Sequence, residues 1–270
     1  MRTLTMQNAY TLISWNVNGL RAAGRKGFVD WMQQGAYPIV GLQETKVSHP
    51  DQLEETLRNP DGYTSYFHSC SEKKGYSGVA IYTKIKPLCV KTFFGNTLLS
   101  REGRVIEMEF REFRLLNVYF PNGGSGELRL QYKLEFYEDF LHYVTHLKKQ
   151  GKPLVICGDV NTAHEEIDLA RPKENVNTSG FMEIERQWVG RLVEAGFIDT
   201  FRWLNQDKVQ YSWWDMKTRA RERNVGWRID YFFVDDRLKL NVKDAFILDD
   251  VPGSDHAPVG ITLVFSDAIV

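Results

Sequence analysis

Six short segments of this 270-residue chain gather residue types that handle metals, protons and phosphates. They are Ser14–Asn18, Leu42–Lys46, Asn117–Asn122, Cys157–Asn161, Trp227–Tyr231 and Gly253–Pro258. The hard oxygen donors Glu44, Asp159, Asp255, Asn16 and Asn18 suit magnesium or manganese rather than zinc or copper. His256 follows Asp255, and with Asp230 it makes the pattern of an imidazole held by a carboxylate, which carries a proton or polarises a phosphate. Any one of these segments alone reads as a turn or a helix cap. All six in one chain read as a divalent-metal phosphoesterase.

A second feature lies between Tyr211 and Tyr231. Lys217, Arg219, Arg221, Arg223 and Arg228 are interleaved with Trp213, Trp214 and Trp227, and Glu222 is the one acid between residues 217 and 228. Positive charge neutralises phosphates, and indole faces stack on or wedge against bases and sugars. Arg21, Arg25–Lys26, Lys73–Lys74 and Arg101–Arg104 offer smaller basic groups.

Strands must position these clusters, because the polar segments follow or precede short β-branched and aromatic runs. Strands are expected at Tyr10–Trp15, Ile39–Gln43, Gly78–Thr83, Val105–Phe110, Phe113–Phe120, Pro153–Gly158, Arg228–Val234 and Pro258–Phe265. Helical spacing falls in some of the gaps between them. Leu130, Leu134, Tyr137, Leu141 and Val144 make one apolar stripe over Glu127–Leu147. Ile184, Trp188 and Leu192 make another, ending at Gly196. Shorter helices are expected at Lys26–Gln34 and Asp51–Leu57. The run ending at Phe110 and the run starting at Phe113 are close enough to force an antiparallel hairpin, so the sheets are expected to be mixed rather than all parallel. Ligands collect at such strand ends, where the scaffold is rigid and the following loop is free.

The composition narrows the class. Hydrophobic residues are 43% and charged residues 26%, which excludes disorder over most of the chain, and no apolar run is long enough to span a bilayer. The net charge is −1, so a polyanion site must be local. Three scattered cysteines make neither a disulfide framework nor a zinc site. The N-terminus carries no signal-peptide pattern, and a cytoplasmic location is expected. With no repeat or linker, residues 10–266 are expected to form one domain behind a tail of residues 1–9.

Several of the motifs are long: ISWNVNGLRA, LQETK, GYSGVAIYTK, NVYFPNG, GDVNTAHEEIDLARPKEN, TRARERNVGWRIDYFFV and GSDHAPV. Through them the chain resembles the exonuclease III-type AP endonucleases of the endonuclease/exonuclease/phosphatase superfamily, from about Leu12 to Phe265. The resemblance implies a four-layer α/β sandwich, two mixed β-sheets packed face to face and flanked by helices. It implies magnesium-dependent hydrolysis of the phosphodiester 5′ to an abasic site in double-stranded DNA, leaving 3′-hydroxyl and 5′-deoxyribose phosphate ends, with manganese as a substitute metal. It also implies 3′→5′ exonuclease and 3′-phosphodiesterase action, and leaves incision at damaged bases open.

By the same resemblance Glu44 is the principal metal ligand, with Asn16, Asn18 and Asp255 around it. Asp159 activates or positions the attacking water and Asn161 orients it. His256, paired with Asp230, contacts the scissile phosphate, and Tyr119 is the active-site tyrosine. Trp213, Trp227 and Ile229 match the pocket for the extruded abasic sugar; Asn122, Arg129, Asn175, Arg221 and Asn224 are expected DNA contacts. Ser125 stands where animal members carry a DNA-inserting Arg, Asn18 where they carry Asp, and Thr178 where they carry Asn, a bacterial rather than animal pattern. A monomer without obligate protein partner is expected. The alternative within the superfamily is a phosphatase or phosphodiesterase acting on a small or lipid phosphate, for which the basic, Trp-rich loop would have no use.

Overall fold

The computed structural model describes residues 7–92 and 101–266. Two six-stranded sheets form its centre. The first has the order β13-β14-β1-β2-β4-β3, from β1 (Gln7–Asn16), β2 (Ile39–Gln43), β3 (Thr64–His68), β4 (Val79–Thr83), β13 (Val242–Ile247) and β14 (Val259–Ser266). The second has the order β5-β6-β7-β8-β12-β9, from β5 (Cys89–Lys91), β6 (Val105–Glu109), β7 (Arg114–Tyr119), β8 (Leu154–Asp159), β9 (Phe197–Asp199) and β12 (Asp230–Asp235). Each sheet is antiparallel except for one pair near its middle: β1 runs parallel to β2, and β7 parallel to β8. The strands β10 (Trp213–Trp214) and β11 (Gly226–Trp227) form a separate small ribbon.

Alternation along the strands makes the layers. Leu12, Ile39, Val155 and Phe232 point into the core between the sheets. Their neighbours Ile13 and Val40 face outward under α1 (Leu20–Arg25) and α2 (Phe28–Gly35). Likewise Ile156 and Phe233 face outward under α4 (Glu127–Lys149) and α6 (Glu183–Glu194). A period of two thus buries both faces of each sheet. The result is the expected four-layer α/β sandwich, with α3 (Glu55–Arg58), α5 (Pro172–Asn175) and α7 (Thr200–Leu204) as single turns at its margins. No helix among the described residues is long and apolar enough to cross a membrane.

The expected hairpin forms, with Val105 opposite Val118 and Glu109 opposite Arg114. Other elements differ. β1 begins at Gln7, inside the stretch expected as a tail, and pairs there with Ser266; residues 1–6 lie outside the described residues. The helix expected over Lys26–Gln34 starts later, because Gly27 at φ 89° separates α1 from α2. That expected over Asp51–Leu57 is two single turns, since Leu53 between them is extended. On α6 the buried stripe is Glu185, Trp188, Val189 and Leu192, while Ile184 is exposed. On α4 Lys133 is fully buried where Leu134 was expected to lead.

Arg228, counted above with the basic loop, is also interior. Its guanidinium makes two bidentate pairs, with Asp168 at 2.8 and 2.9 Å and with Asp199 at 3.1 and 2.7 Å. Arg202 adds a third cation-to-carboxylate bond, to Asp168 at 2.6 Å. Burial pushes the Asp168 carboxyl up, but the charge and hydrogen bonds of Arg228 outweigh it and hold the pKa down to about 2. A depressed carboxylate stabilises the fold fully above its unfolded value of ~3.9, and that contribution disappears as pH falls toward the folded value. Its size is about 2 kcal/mol. Asp168→Asn should therefore lower the urea midpoint at pH 7 and flatten the fall in stability between about pH 4 and 2. An unchanged acid limb would take this pair out of the stability balance.

Candidate active site

The ends of the two parallel pairs meet at one end of the sandwich. β1 and β2 leave through Asn16 and Glu44, and β7 and β8 through Tyr119 and Asp159. Asp230, the first residue of β12, lies opposite Asp159 in register. His256 precedes β14 and is bridged to Trp213. Asn16 is buried, and its amide donates to both Glu44 Oε1 at 3.0 Å and Asp159 Oδ2 at 2.8 Å. One side chain thus joins a carboxylate of each sheet.

Asp159 accepts from the Asn161 backbone N–H at 2.8 Å and from the Asn161 amide at 3.2 Å. Asn161 Oδ1 accepts from Asn122 at 2.9 Å. His256 Nδ1 lies 2.9 Å from Asp230 Oδ2, which also accepts from Ser212 Oγ at 2.7 Å. The other ring nitrogen, Nε2, is 3.9 Å from Asp159 Oδ2. Burial, and then the charge of Asp230, push the Asp159 carboxyl up to about 7. Burial lowers the His256 pKa, but Asp230 and then Asp159 overcome it and push it up to about 10, so the ring is an imidazolium at neutral pH. Tyr119 is raised well above its ordinary value, by burial first and Glu44 next, and stays a phenol. Arg104 lies under its ring at 4.6 Å and donates to its carbonyl at 2.9 Å.

Glu44, Asp159 and His256 present ligand atoms all within 4.8 Å of one another. Asp230 Oδ1 is buried without a hydrogen-bond partner. Two carboxylates, Glu44 and Asp159, with Asp159 pushed up by burial and by its acidic neighbour Asp230, are a donor set that fits a hard cation. The other expected ligands stand one step back. Asn16 donates its amide N–H groups to the carboxylates, and its Oδ1 accepts from the Asn18 backbone N–H at 3.0 Å. Asn18 donates to Asp255 Oδ1 at 2.9 Å and accepts from Lys46. Asp255 is taken up by Asn18, Ser254 and the Trp213 indole N–H, at 2.9, 3.2 and 3.2 Å.

Over this cluster opens a cavity of about 290 Å³. Trp213, Trp227 and Ile229 give it an apolar side, and Asn122, Asn161, Thr178 and Ser179 a polar one. Trp213 and Trp227 meet edge to face, with ring centroids 6.3 Å apart. Thr178, noted above only as a departure from the animal pattern, and Ser179, which the motif comparison passed over, line the cavity; Ser212, which supports Asp230, has no signal in the sequence beyond its place before two tryptophans.

The remaining expected contacts lie outside the cavity lining. Arg129 pairs with Glu102 at 2.9 Å and donates to the Tyr76 hydroxyl at 2.7 Å. Asn175 donates to the Arg171 carbonyl, and Asn224 accepts from the Trp214 indole. Arg221 stacks on Trp214 at 4.7 Å and donates to the carbonyls of Asp249, Val251 and Ser254.

The family model described as Endonuclease/Exonuclease/phosphatase matches residues 13–256. The chain belongs to that family. An exodeoxyribonuclease of Bacillus subtilis (strain 168) is 44% identical over 254 residues, spanning 93% of this chain and 98% of that protein. A DNA repair nuclease of Danio rerio is 41% identical over 253 residues, covering 93% of this chain and 81% of the relative. Among solved structures, an AP endonuclease from Leishmania major superposes with a TM-score of 0.85 at 31% identity, covering 94% of this chain and 87% of that one. In this member of the family Arg221 braces the segment that carries Asp255 and His256. Arg221→Ala should lower kcat about tenfold, the factor that ~1.4 kcal/mol of lost positioning represents, with the salt slope of DNA binding unchanged. The exposed Lys217→Ala should instead reduce that slope by about 1. Filter binding across a salt series separates the two; a flattened slope for Arg221→Ala would put its guanidinium on a phosphate.

Proposed function

We propose that the chain is a DNA-repair AP endonuclease, hydrolysing the phosphodiester 5′ to an abasic site in duplex DNA to leave a 3′-hydroxyl and a 5′-deoxyribose phosphate. The same hydrolysis at a 3′ end gives exonuclease and 3′-phosphodiesterase action. One observation carries the reading: the carboxylate–imidazole cluster lies at the floor of a cavity whose far side is Trp213, Trp227 and Ile229. A sugar without its base can enter such a slot, and extrusion costs least where stacking is already lost. The names of the relatives, exodeoxyribonuclease and DNA repair nuclease, agree with it. A small-phosphate enzyme would have no need of the exposed Lys217, Arg219 and Arg223 on the Trp-rich segment that supplies Trp213 and Trp227 to that slot.

Magnesium is the proposed cation, with manganese as its substitute, held by Glu44 and Asp159. When bound, it supplies Lewis-acid charge to the phosphate oxygens. Asp159, oriented by Asn16 and Asn161, holds the attacking water in line and accepts its proton. The imidazolium of His256, kept charged by Asp230, faces the phosphate and stabilises the charge that develops there. Tyr119 donates its hydroxyl hydrogen toward the same phosphate. Asn122 in the cavity lining, and Arg129, Asn175 and Asn224 outside it, are the proposed contacts to the duplex backbone.

A labelled duplex with one stable abasic analogue, compared with undamaged and uracil-containing duplexes, tests this. Magnesium-dependent cutting 5′ to the analogue is expected, and His256→Ala should slow it about 10²–10³-fold with binding kept. Hydrolysis of a small phosphate ester with every duplex left intact would overturn the reading.

A second outcome follows from the raised Asp159 carboxyl. Its proton must leave before a cation can bind, so metal affinity should rise about tenfold per pH unit below about 7 and level off above it. Calorimetric titration of manganese across that range checks the slope. An affinity independent of pH there would remove Asp159 from the metal site.

A further inference from the structure

Behind the cavity, on the helix side, lies an ion pair that the chemistry above does not use. Lys133 on α4 and Glu185 on α6 are both fully buried, with Nζ and Oε1 2.6 Å apart. The other donors of Lys133 go to the Asn161 carbonyl at 2.8 Å and to Thr162 Oγ1 at 2.9 Å. Glu185 Oε1 also accepts from Ser179 Oγ at 2.9 Å, while Oε2 accepts from the backbone N–H groups of Gly180 at 2.6 Å and Met182 at 3.1 Å. The polar atoms of both side chains are fully engaged, and nearly all the bonds lead to the two segments that wall the cavity.

Both segments need holding. Asn161 has φ 56°, a left-handed conformation, while its side chain orients Asp159. Gly180 has φ 100°, and a Cβ there would come within 3.2 Å of both the Asn161 carbonyl and the Trp227 ring. Gly180 O in turn accepts from Ala163 N at 2.8 Å. The catalytic turn, the Ser179–Gly180 wall and the Trp227 wall therefore touch one another, and the ion pair grips the first two from behind. A buried pair of this kind is weak evidence for stability, because its desolvation cost offsets its attraction and an apolar pair of like volume often serves as well. What an apolar pair cannot supply is the oriented grip on a carbonyl and two N–H groups.

We propose that Lys133 and Glu185 are a positioning unit for catalysis, fixing the Asn161 turn and the 178–182 wall relative to each other across the cavity. Neither touches substrate. The inference rests on the proposed nuclease reading for its substrate, but its geometry concerns the Asp159–Asn161 turn whatever phosphodiester is bound.

The test is the double variant Lys133→Met with Glu185→Leu, which removes both charges together. Its thermal midpoint should fall only modestly, because losing the desolvated charges offsets part of the cost of leaving the Gly180 and Met182 N–H groups without their acceptor. Its kcat on the abasic duplex should fall about 10²-fold, the scale of a misplacement near 1 Å, with KM and the salt slope of binding unchanged. The same fall is expected with bis(p-nitrophenyl) phosphate and magnesium. A stable double variant with wild-type kcat on both substrates would overturn the proposal. If the double variant does not fold, Glu185→Gln decides: it keeps the shape and loses an acceptor for the Gly180 and Met182 N–H groups. A lowered kcat at unchanged KM supports the unit, and wild-type kcat overturns it. Wild-type protein that hydrolyses the small diester but cuts no duplex would refute the nuclease reading alone, since the diester arm still judges the pair.

Discussion

Two carboxylates from different sheets converge on one side-chain amide, and the site depends on that junction. Asn16, at the end of β1, donates to Glu44 within its own sheet and to Asp159 in the other. Across the second sheet Asp159 stands opposite Asp230, both buried, a like-charge cross-strand pair that would be unfavourable by itself. His256 resolves the conflict by pairing with Asp230 and approaching Asp159. The sandwich can bury this much acid because neutral donors and one imidazolium are built in beside it. The charge still missing is what makes room for a cation.

Backbone strain is part of the same arrangement. Asn18, Glu44, Lys46 and Asn161 all have positive φ, and all sit within three residues of the ends of β1, β2 or β8. A residue so held costs of order 1–3 kcal/mol unless its surroundings over-determine it. Here they do. Gly19 and Leu20 donate to the carbonyls of Glu44 and Thr45, while Thr45 and Lys46 donate to those of Gly78 and Ser77. Three strand ends are thus laced together, and two of the left-handed residues, Glu44 and Asn161, put their side chains into the cavity lining. Asn tolerates this conformation readily; Glu44 does not, so its position depends most on the lacing.

The pattern of what was legible in the sequence follows from burial. The eight runs read as strands each correspond to an interior strand of a sheet, because two packed faces demand unbroken β-branched and aromatic residues. The strands β3, β5, β9 and β13 gave no such signal, and they are the four sheet edges. An edge strand has a neighbour on one side only, so it can be short, as in β5 and β9, or charged, as at Lys243 and Asp244 of β13. The helix stripes are buried as expected at Tyr137, Leu141, Val144, Trp188 and Leu192, and depart from the reading only at their N-terminal ends, for a different reason. Periodicity arguments put Leu130, Leu134 and Ile184 inside, yet the buried positions include Lys133 and Glu185, whose burial is viable only as a pair and therefore invisible to either residue's own type. The cluster around Asp159 was legible through its residue types. Ser212, which steadies Asp230, was not, since a serine partner declares itself only through distance.

The basic residues show the same limit. Counting cations between Tyr211 and Tyr231 suggests one continuous grip on a polyanion, but the fold divides them by task. Arg228 is locked between Asp168 and Asp199, and Arg221 holds three carbonyls, so both shape the protein. Lys217, Arg219 and Arg223 remain exposed. Contacts of exposed cations with phosphates position a duplex without reading it. On the proposed nuclease reading, selection falls to the slot between Trp213, Trp227 and Ile229, where the Trp213 indole is tied to Asp255 and Gly180 packs against Trp227. A chain with a net charge of −1 can act on a polyanion on these terms: a few free cations bring the backbone in, and a rigid apolar wall decides what reaches the carboxylates.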